Sequence, residues 1–314
     1  VIQPNSHVGI VGAGAVGTAC MFAMALRGSA RRLVLVNRTP ERARGAVADL
    51  QYGTVLTPPV ALQAGDYDDL RGAAIVLITA GINEKAGGAT KRSDDAGRLR
   101  LLGSNAGVYR EIVPRIVAVA PAAILVVITD PPDPLADLTR QIAGHERVLS
   151  SGTFLDSLRF RFHLGQKFGV DPKSVEAQVV GEHGTSQVYL WSTARIAGTT
   201  FEQTETLRRE VEHDVRYANI SIIEGTGASQ LGIGVAAARI VELIGGDERA
   251  VVPIGSYQER YGVTLSLPAR LGREGVKEVR MPKLAEDEAR ALDESAATLR
   301  RAVQSMAPRG DEGA

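Results

Sequence analysis

Residues 12–17 read Gly12-Ala13-Gly14-Ala15-Val16-Gly17, between an apolar run at 7–11 and an apolar stretch that continues to Leu26. Three glycines at this spacing, placed between a strand and a helix, constrain the chain more than any other feature. The first permits a tight turn, the second lets main chain approach a diphosphate, and the third allows close packing of helix on strand. Unpaired N–H groups at the helix start then receive the anion. The pattern predicts a dinucleotide held by Gly12, Gly14, Val16 and Gly17; the competing reading is a merely structural glycine-rich turn.

The first half of the chain repeats one rhythm, a short β-branched run followed by a turn and a longer amphipathic stretch. Strands are expected at 7–11, 33–37, 74–79 and 124–129, and their nearly continuous apolar character suits parallel strands covered on both faces. The fold class is therefore α/β: a Rossmann-type doubly wound parallel sheet followed by a mixed α+β catalytic domain. After Gly152 the pattern becomes a helix at 154–168, a β-rich stretch at 175–180, helices at 204–224 and 232–244, antiparallel strands within 251–267 and a closing helix at 286–305. The 314 residues divide into a dinucleotide-binding domain, 1–150, and a substrate domain, 151–314, with a frayed tail after Met306.

Lys plus Arg and Asp plus Glu are both 36, so no global field favours nucleic acid or an anionic membrane. No basic leader precedes the first strand, and no uncharged apolar run reaches the roughly 20 residues of a bilayer span. A cytoplasmic protein is expected. The single cysteine, Cys20, lies in the apolar stretch after the glycines and reads as a small core hydrophobe. No metal site is expected, because nothing in the sequence clusters as metal ligands.

A dinucleotide fold usually ends its second strand in an acid that takes the ribose hydroxyls. Here Asn37 stands in that place, followed by Arg38 and Thr39, with Pro40 as the first residue of a helix and Arg42 one turn on. An amide, a guanidinium and a hydroxyl can hold a 2′-phosphate that a carboxylate would repel. The expected cofactor is NADP(H), with NAD(H) as the alternative if Arg38 is only a solvated surface charge.

Further motifs are Thr79-Ala80-Gly81, Arg98-Leu99-Arg100-Leu101-Leu102 with Asn105, Gly152-Thr153-Phe154-Leu155-Asp156-Ser157-Leu158-Arg159-Phe160, Gly181-Glu182-His183-Gly184 and Glu224-Gly225-Thr226-Gly227-Ala228-Ser229. Together they resemble the L-lactate and malate dehydrogenase family, over nearly the whole chain. The resemblance implies an L-2-hydroxy acid dehydrogenase, a small 2-oxo acid as substrate, and a homodimer or homotetramer. It makes His183 the proton donor and acceptor with Asp156 as its partner, Arg159 the grip on the substrate carboxylate, and Arg98 the loop arginine that polarises the carbonyl. These roles suit the residue types: a carboxylate orients an imidazole, and a guanidinium pairs a carboxylate through two parallel bonds. Asp156 and Arg159, three residues apart, share a helix face, whereas Arg161 faces elsewhere. His145 and His163 read as structural.

The chain also departs from the family pattern. Residues 82–97 form a longer loop, and the residue that reads the substrate side chain, Gln in lactate enzymes and Arg in malate enzymes, falls nearest Glu84. A carboxylate there disfavours a dicarboxylate, unless Lys91 or Arg92 enters the pocket instead. Family members with long loops tend to accept bulkier 2-oxo acids; the alternative is a mobile polar loop. Asp130 replaces the family's Asn before Pro131 and, when ionised, can only accept hydrogen bonds, which points to a non-standard substrate. Thr185 replaces an Asp, and Ser229 leaves room for a side chain larger than methyl. Two other classes remain as alternatives: an NAD-dependent glycosidase, which needs clustered metal ligands, and a nucleotide-binding protein that has lost catalysis.

Overall fold

The structure, a computed structural model, describes residues 7–91, 93 and 97–306, without the side chains of 97 and 98. Arg92, Asp94 and Asp95 of the long loop and the tail beyond 306 lie outside the described residues. Strand β1 (His7–Val11) leads through the glycine turn into helix α1 (Ala15–Arg27), and β2 (Arg32–Val36) into α2 (Pro40–Gly53). Next come β3 (Ala61–Gly65), β4 (Ile75–Ile78), α3 (Leu102–Val119), β5 (Ile124–Val127), α4 (Pro132–Ala143) and β6 (Val148–Ser150). These six strands pair in parallel in the order β3-β2-β1-β4-β5-β6. The order reverses between β1 and β4, and a ligand crevice opens at such a point beyond the carboxyl ends of the strands.

Alternation along each strand buries both faces. Leu33 and Leu35 join a core that contains Cys20, Met24 and Ala237, whereas Val34 and Val36 join one that contains Tyr109, Ile116 and Leu135. Cys20 is fully buried, and burial pushes its thiol up to about 12, as befits a core side chain. β2, β4 and β5 end one or two residues earlier than expected. Asn37, Thr79 and Thr129 have left the ladder, and the chemistry lies in the turns they and Asp130 form.

The second half begins with α5 (Phe154–Phe168), followed by the short strands β7 (Val175–Glu176), β8 (Val179–Val180), β9 (Val188–Tyr189) and β10 (Arg195–Ile196). Phe160, one turn beyond Asp156, sits edge-on to Trp191 at 4.8 Å and to Tyr189 at 5.4 Å and anchors α5 in its own core. The single helix expected at 204–224 is two, α6 (Glu205–Arg216) and α7 (Ala218–Thr226), broken at Tyr217. α8 (Leu231–Gly245) packs on α1, where a Cβ on Gly234 would lie 2.7 Å from the Ala19 carbonyl oxygen.

The expected antiparallel strands are β11 (Val251–Gln258) and β12 (Val263–Gly272), and β13 (Gly275–Val279) follows. They extend the parallel sheet through a single pairing, Gly255 with Ser150, making nine strands among the described residues. The closing helix α9 (Glu286–Ser305) has the expected bounds.

Candidate active site

The glycine turn at the end of β1 is held open by contacts. Gly12 has φ +117°, and a Cβ there would lie 2.6 Å from the Ala80 nitrogen; a Cβ on Gly17 would lie 1.8 Å from the Gly12 oxygen. Nothing stands within 4 Å of a Cβ built on Gly14. Gly14 is the N-cap of α1, makes no side-chain cap hydrogen bond, and the first turn carries no acid. An open, uncapped helix start with room at its glycine fits a dinucleotide diphosphate. Thr79 braces the turn from β4, its hydroxyl donating to the Gly12 oxygen at 2.9 Å.

Asn37 belongs to the same brace. Its Oδ1 accepts from the Ala13 N–H at 2.9 Å and its Nδ2 donates to the Thr39 oxygen at 2.9 Å, so the amide ties the glycine turn to the start of α2. Thr39 is the N-cap of α2 without a side-chain cap bond. Arg38 is exposed and lines a surface pocket with Arg44, Arg115, Asp66 and Asp69. Arg115, from α3, lies 3.9 Å over the ring of Tyr67. No short-range pattern pointed to Arg115, because it arrives from a different helix.

Beyond the carboxyl ends of β4 and β5, the loops are stitched by Asn105. This fully buried residue on α3 accepts from the Ile82 N–H at 2.7 Å and donates to the Asp130 carbonyl at 2.7 Å. Thr129 donates to the Ala80 oxygen at 3.0 Å. Asp130 is thereby presented to the cavity from a fixed backbone.

His183 lies opposite. Its Nδ1 is hydrogen-bonded to Asp156 Oδ2, and Asp156 Oδ1 takes Nη1 of Arg159 at 3.0 Å, so one buried carboxylate holds both partners. On the other side of the imidazole, Nε2 lies 3.6 Å from Asp130 Oδ1. The main chain of His183 is fixed as well: its N–H donates to Asp133 Oδ2 at 2.8 Å, and Asp133 Oδ1 takes the Ser150 hydroxyl at 2.5 Å. Asp133 is fully buried, and burial pushes its carboxyl up to about 7 against these hydrogen bonds.

One cavity unites Gly14, Val16, Thr79, Gly81, Glu84, Asp130, Arg159, His183 and Ser229. Gly12, Gly17, Ala80 and Asn105 stand behind its wall, whereas Asn37, Arg38 and Thr39 lie at the end of β2, away from the imidazole. The backbone of Arg98 lies in a short 3-10 turn, Gly97–Leu101, and its side chain is outside the described residues. Arg161 donates to the Pro172 carbonyl at 3.3 Å, and His163 is half-buried 3.9 Å from Asp214. Sequence reasoning missed Asp133, Ser150 and Asn219, the last a buried residue on the cavity wall. Among the described residues no group of three or more His, Cys, Asp or Glu side chains is arranged to hold a metal ion.

Two family models match the chain. The lactate/malate dehydrogenase NAD binding domain covers residues 6–149, and the lactate/malate dehydrogenase alpha/beta C-terminal domain covers 153–308. The chain belongs to the lactate/malate dehydrogenase family. Its relatives in that family include the L-lactate dehydrogenase of Deinococcus radiodurans, 41% identical over 308 residues (95% of this chain and 99% of the relative). The L-lactate dehydrogenase of Chloroherpeton thalassium is 38% identical over 310 residues, with the same coverage. Among solved structures, a lactate dehydrogenase from a Medee basin deep-sea metagenome library superposes with a TM-score of 0.89 at 32% identity, covering 98% of this chain and all of the other. This lactate/malate dehydrogenase chain is thus a nicotinamide-dependent 2-hydroxy acid dehydrogenase by class. No helix among its described residues is long and apolar enough to cross a membrane.

Proposed function

We propose that this dehydrogenase reduces a 2-oxo acid to the 2-hydroxy acid with NADPH, and that its substrate carries more than the methyl group of pyruvate. The observation that carries the reaction is the placement of His183, bonded to Asp156, in one cavity with Arg159 and with the open glycine cradle.

The nicotinamide, when bound, supplies a hydride to carbon 2 of the acid. His183 delivers the proton to the carbonyl oxygen from Nε2, while Asp156 holds Nδ1 and compensates the positive charge. Arg159 pairs the substrate carboxylate, its plane fixed by the bond from Nη1 to Asp156. Arg98 polarises the carbonyl when its loop closes over the cavity and expels water. Asp130 stands where the substrate oxygen approaches Nε2 and offers an acceptor there. Glu84, on the same wall, opposes a second substrate carboxylate.

Support for NADPH is local. The end of β2 carries Asn37 in place of an acid, and Arg38, Arg44 and Arg115 line the adjoining pocket. The second reading, NADH, rests on Asp66 and Asp69 in that pocket and on the engagement of Asn37 with backbone. Comparing kcat/KM for NADPH and NADH with a panel of 2-oxo acids decides between them, and a clear NADH preference refutes the first. A homodimer or homotetramer is supported by exposed Phe22 and Leu26 on α1 and Leu231 and Val235 on α8. Light scattering on the purified chain tests that assembly.

A further inference from the structure

The cavity wall holds a polar group that the reduction itself does not use. α7 starts anew after the break at Tyr217, and its first turn places Asn219 between Ala218 and Ile220. Asn219 is only 4% exposed, beside the buried Ile220 and Ile223. It lines the same cavity as His183, Arg159 and Ser229. Among the described residues no protein group bonds its carboxamide, whose polar atoms stay open to the cavity. A polar side chain held on a cavity wall without a partner in the fold is matched when a ligand of suitable chemistry arrives.

A carboxamide presents one acceptor and a donor group, and a serine hydroxyl does both as well. Neither bears charge. We propose that Asn219, together with Ser229, reads the substrate side chain, and that the group it takes is a hydroxyl on carbon 3 of the 2-oxo acid. The proposal rests on the dehydrogenase reading above and narrows its substrate class. A hydroxymethyl side chain donates to the Asn219 oxygen and accepts from its nitrogen. An ethyl group of the same size leaves both unmatched, and sites built to bond a hydroxyl reject such analogues.

The test uses 3-hydroxypyruvate and 2-oxobutanoate, which are nearly equal in size and differ in that hydroxyl. For the unmodified enzyme, kcat/KM favours the hydroxylated acid by about 10- to 100-fold. Asn219→Ala brings the two acids to within about threefold, and Asn219→Leu reverses the order, because only the hydroxyl then goes unmatched. Asn219→Ser, which restores a hydrogen-bonding group, recovers part of the preference, and Ser229→Ala loses part of it. Equal efficiency in the unmodified enzyme, or a ratio unmoved by Asn219→Ala, overturns the subsite and leaves the dehydrogenase reading standing, since both acids are still reduced. Reduction of neither acid, nor of pyruvate, with either cofactor overturns that reading and the subsite with it.

Discussion

Asp133 takes the backbone N–H of His183 on one carboxylate oxygen, at 2.8 Å, although the two residues are 50 apart in the chain. Its other oxygen takes the Ser150 hydroxyl at the end of β6. The loop that carries the imidazole is therefore fastened to the sheet by its main chain, independently of the Asp156 contact to its ring.

That burial gives Asp133 a pH signature. Its carboxyl moves from 3.8 up to about 7 in the folded chain. Between those values the folded chain binds a proton that the unfolded chain has released, so this group makes stability fall as pH rises through the window. Asp133→Asn, which cannot ionise, is expected to remove that contribution. Urea-unfolding free energies of both proteins across the window test it, and an identical slope in the two contradicts the assignment.

Glu242 works in the opposite sense. Burial acts to raise its carboxyl, and hydrogen bonds from Arg27 and Ser29 overcome that, leaving it below its ordinary 4.5. Its contribution is therefore present above 4.5 and fades as pH falls through the lower folded value. The Arg27 bonds, both 2.7 Å, join α1 to α8, but the Arg27 side chain is 40% exposed, which weakens the pair. Glu242→Ala is expected to cost about 1–3 kcal/mol at neutral pH and less in acid. Denaturant midpoints measure it, and a loss that grows in acid contradicts it.

At the end of β2, Arg38→Glu is expected to lower kcat/KM for NADPH by about 10- to 100-fold while changing NADH far less. Steady-state absorbance of each cofactor reads both values. Equal losses for the two would show that Arg38 does not discriminate at the 2′ position.

Asp130 faces Nε2 of His183 with acceptors alone. Replacing it by Asn supplies a donor to the carbonyl oxygen, so Asp130→Asn is expected to raise kcat/KM on pyruvate on the order of tenfold. Unchanged or lower activity on pyruvate shows that the carboxylate serves a different native substrate.

What the sequence made legible was local. The glycine spacing, the three-residue step from Asp156 to Arg159 and the four-residue motif around His183 each fix geometry within a turn or two of chain. What it hid was brought in from a distance or lacked a pattern. β3, Ala-Leu-Gln-Ala-Gly, is a half-exposed edge strand without a β-branched residue. The break at Tyr217 has neither glycine nor proline to mark it. Asn37 also clamps the backbone of the glycine turn, a contact across 24 residues that no periodicity reveals. Asp133 acts on a main-chain N–H, which leaves no trace in side-chain spacing.

Proton delivery rests on the imidazole of His183 in the cavity wall. Stopped-flow measurement of NADPH oxidation by a saturating 2-oxo acid, for the parent enzyme and for His183→Asn, tests it most directly. The expected result is a fall in the reduction rate of about 10²- to 10⁴-fold, with cofactor affinity by fluorescence nearly unchanged. A variant that still reduces the acid within a few-fold of the parent would contradict proton delivery from His183.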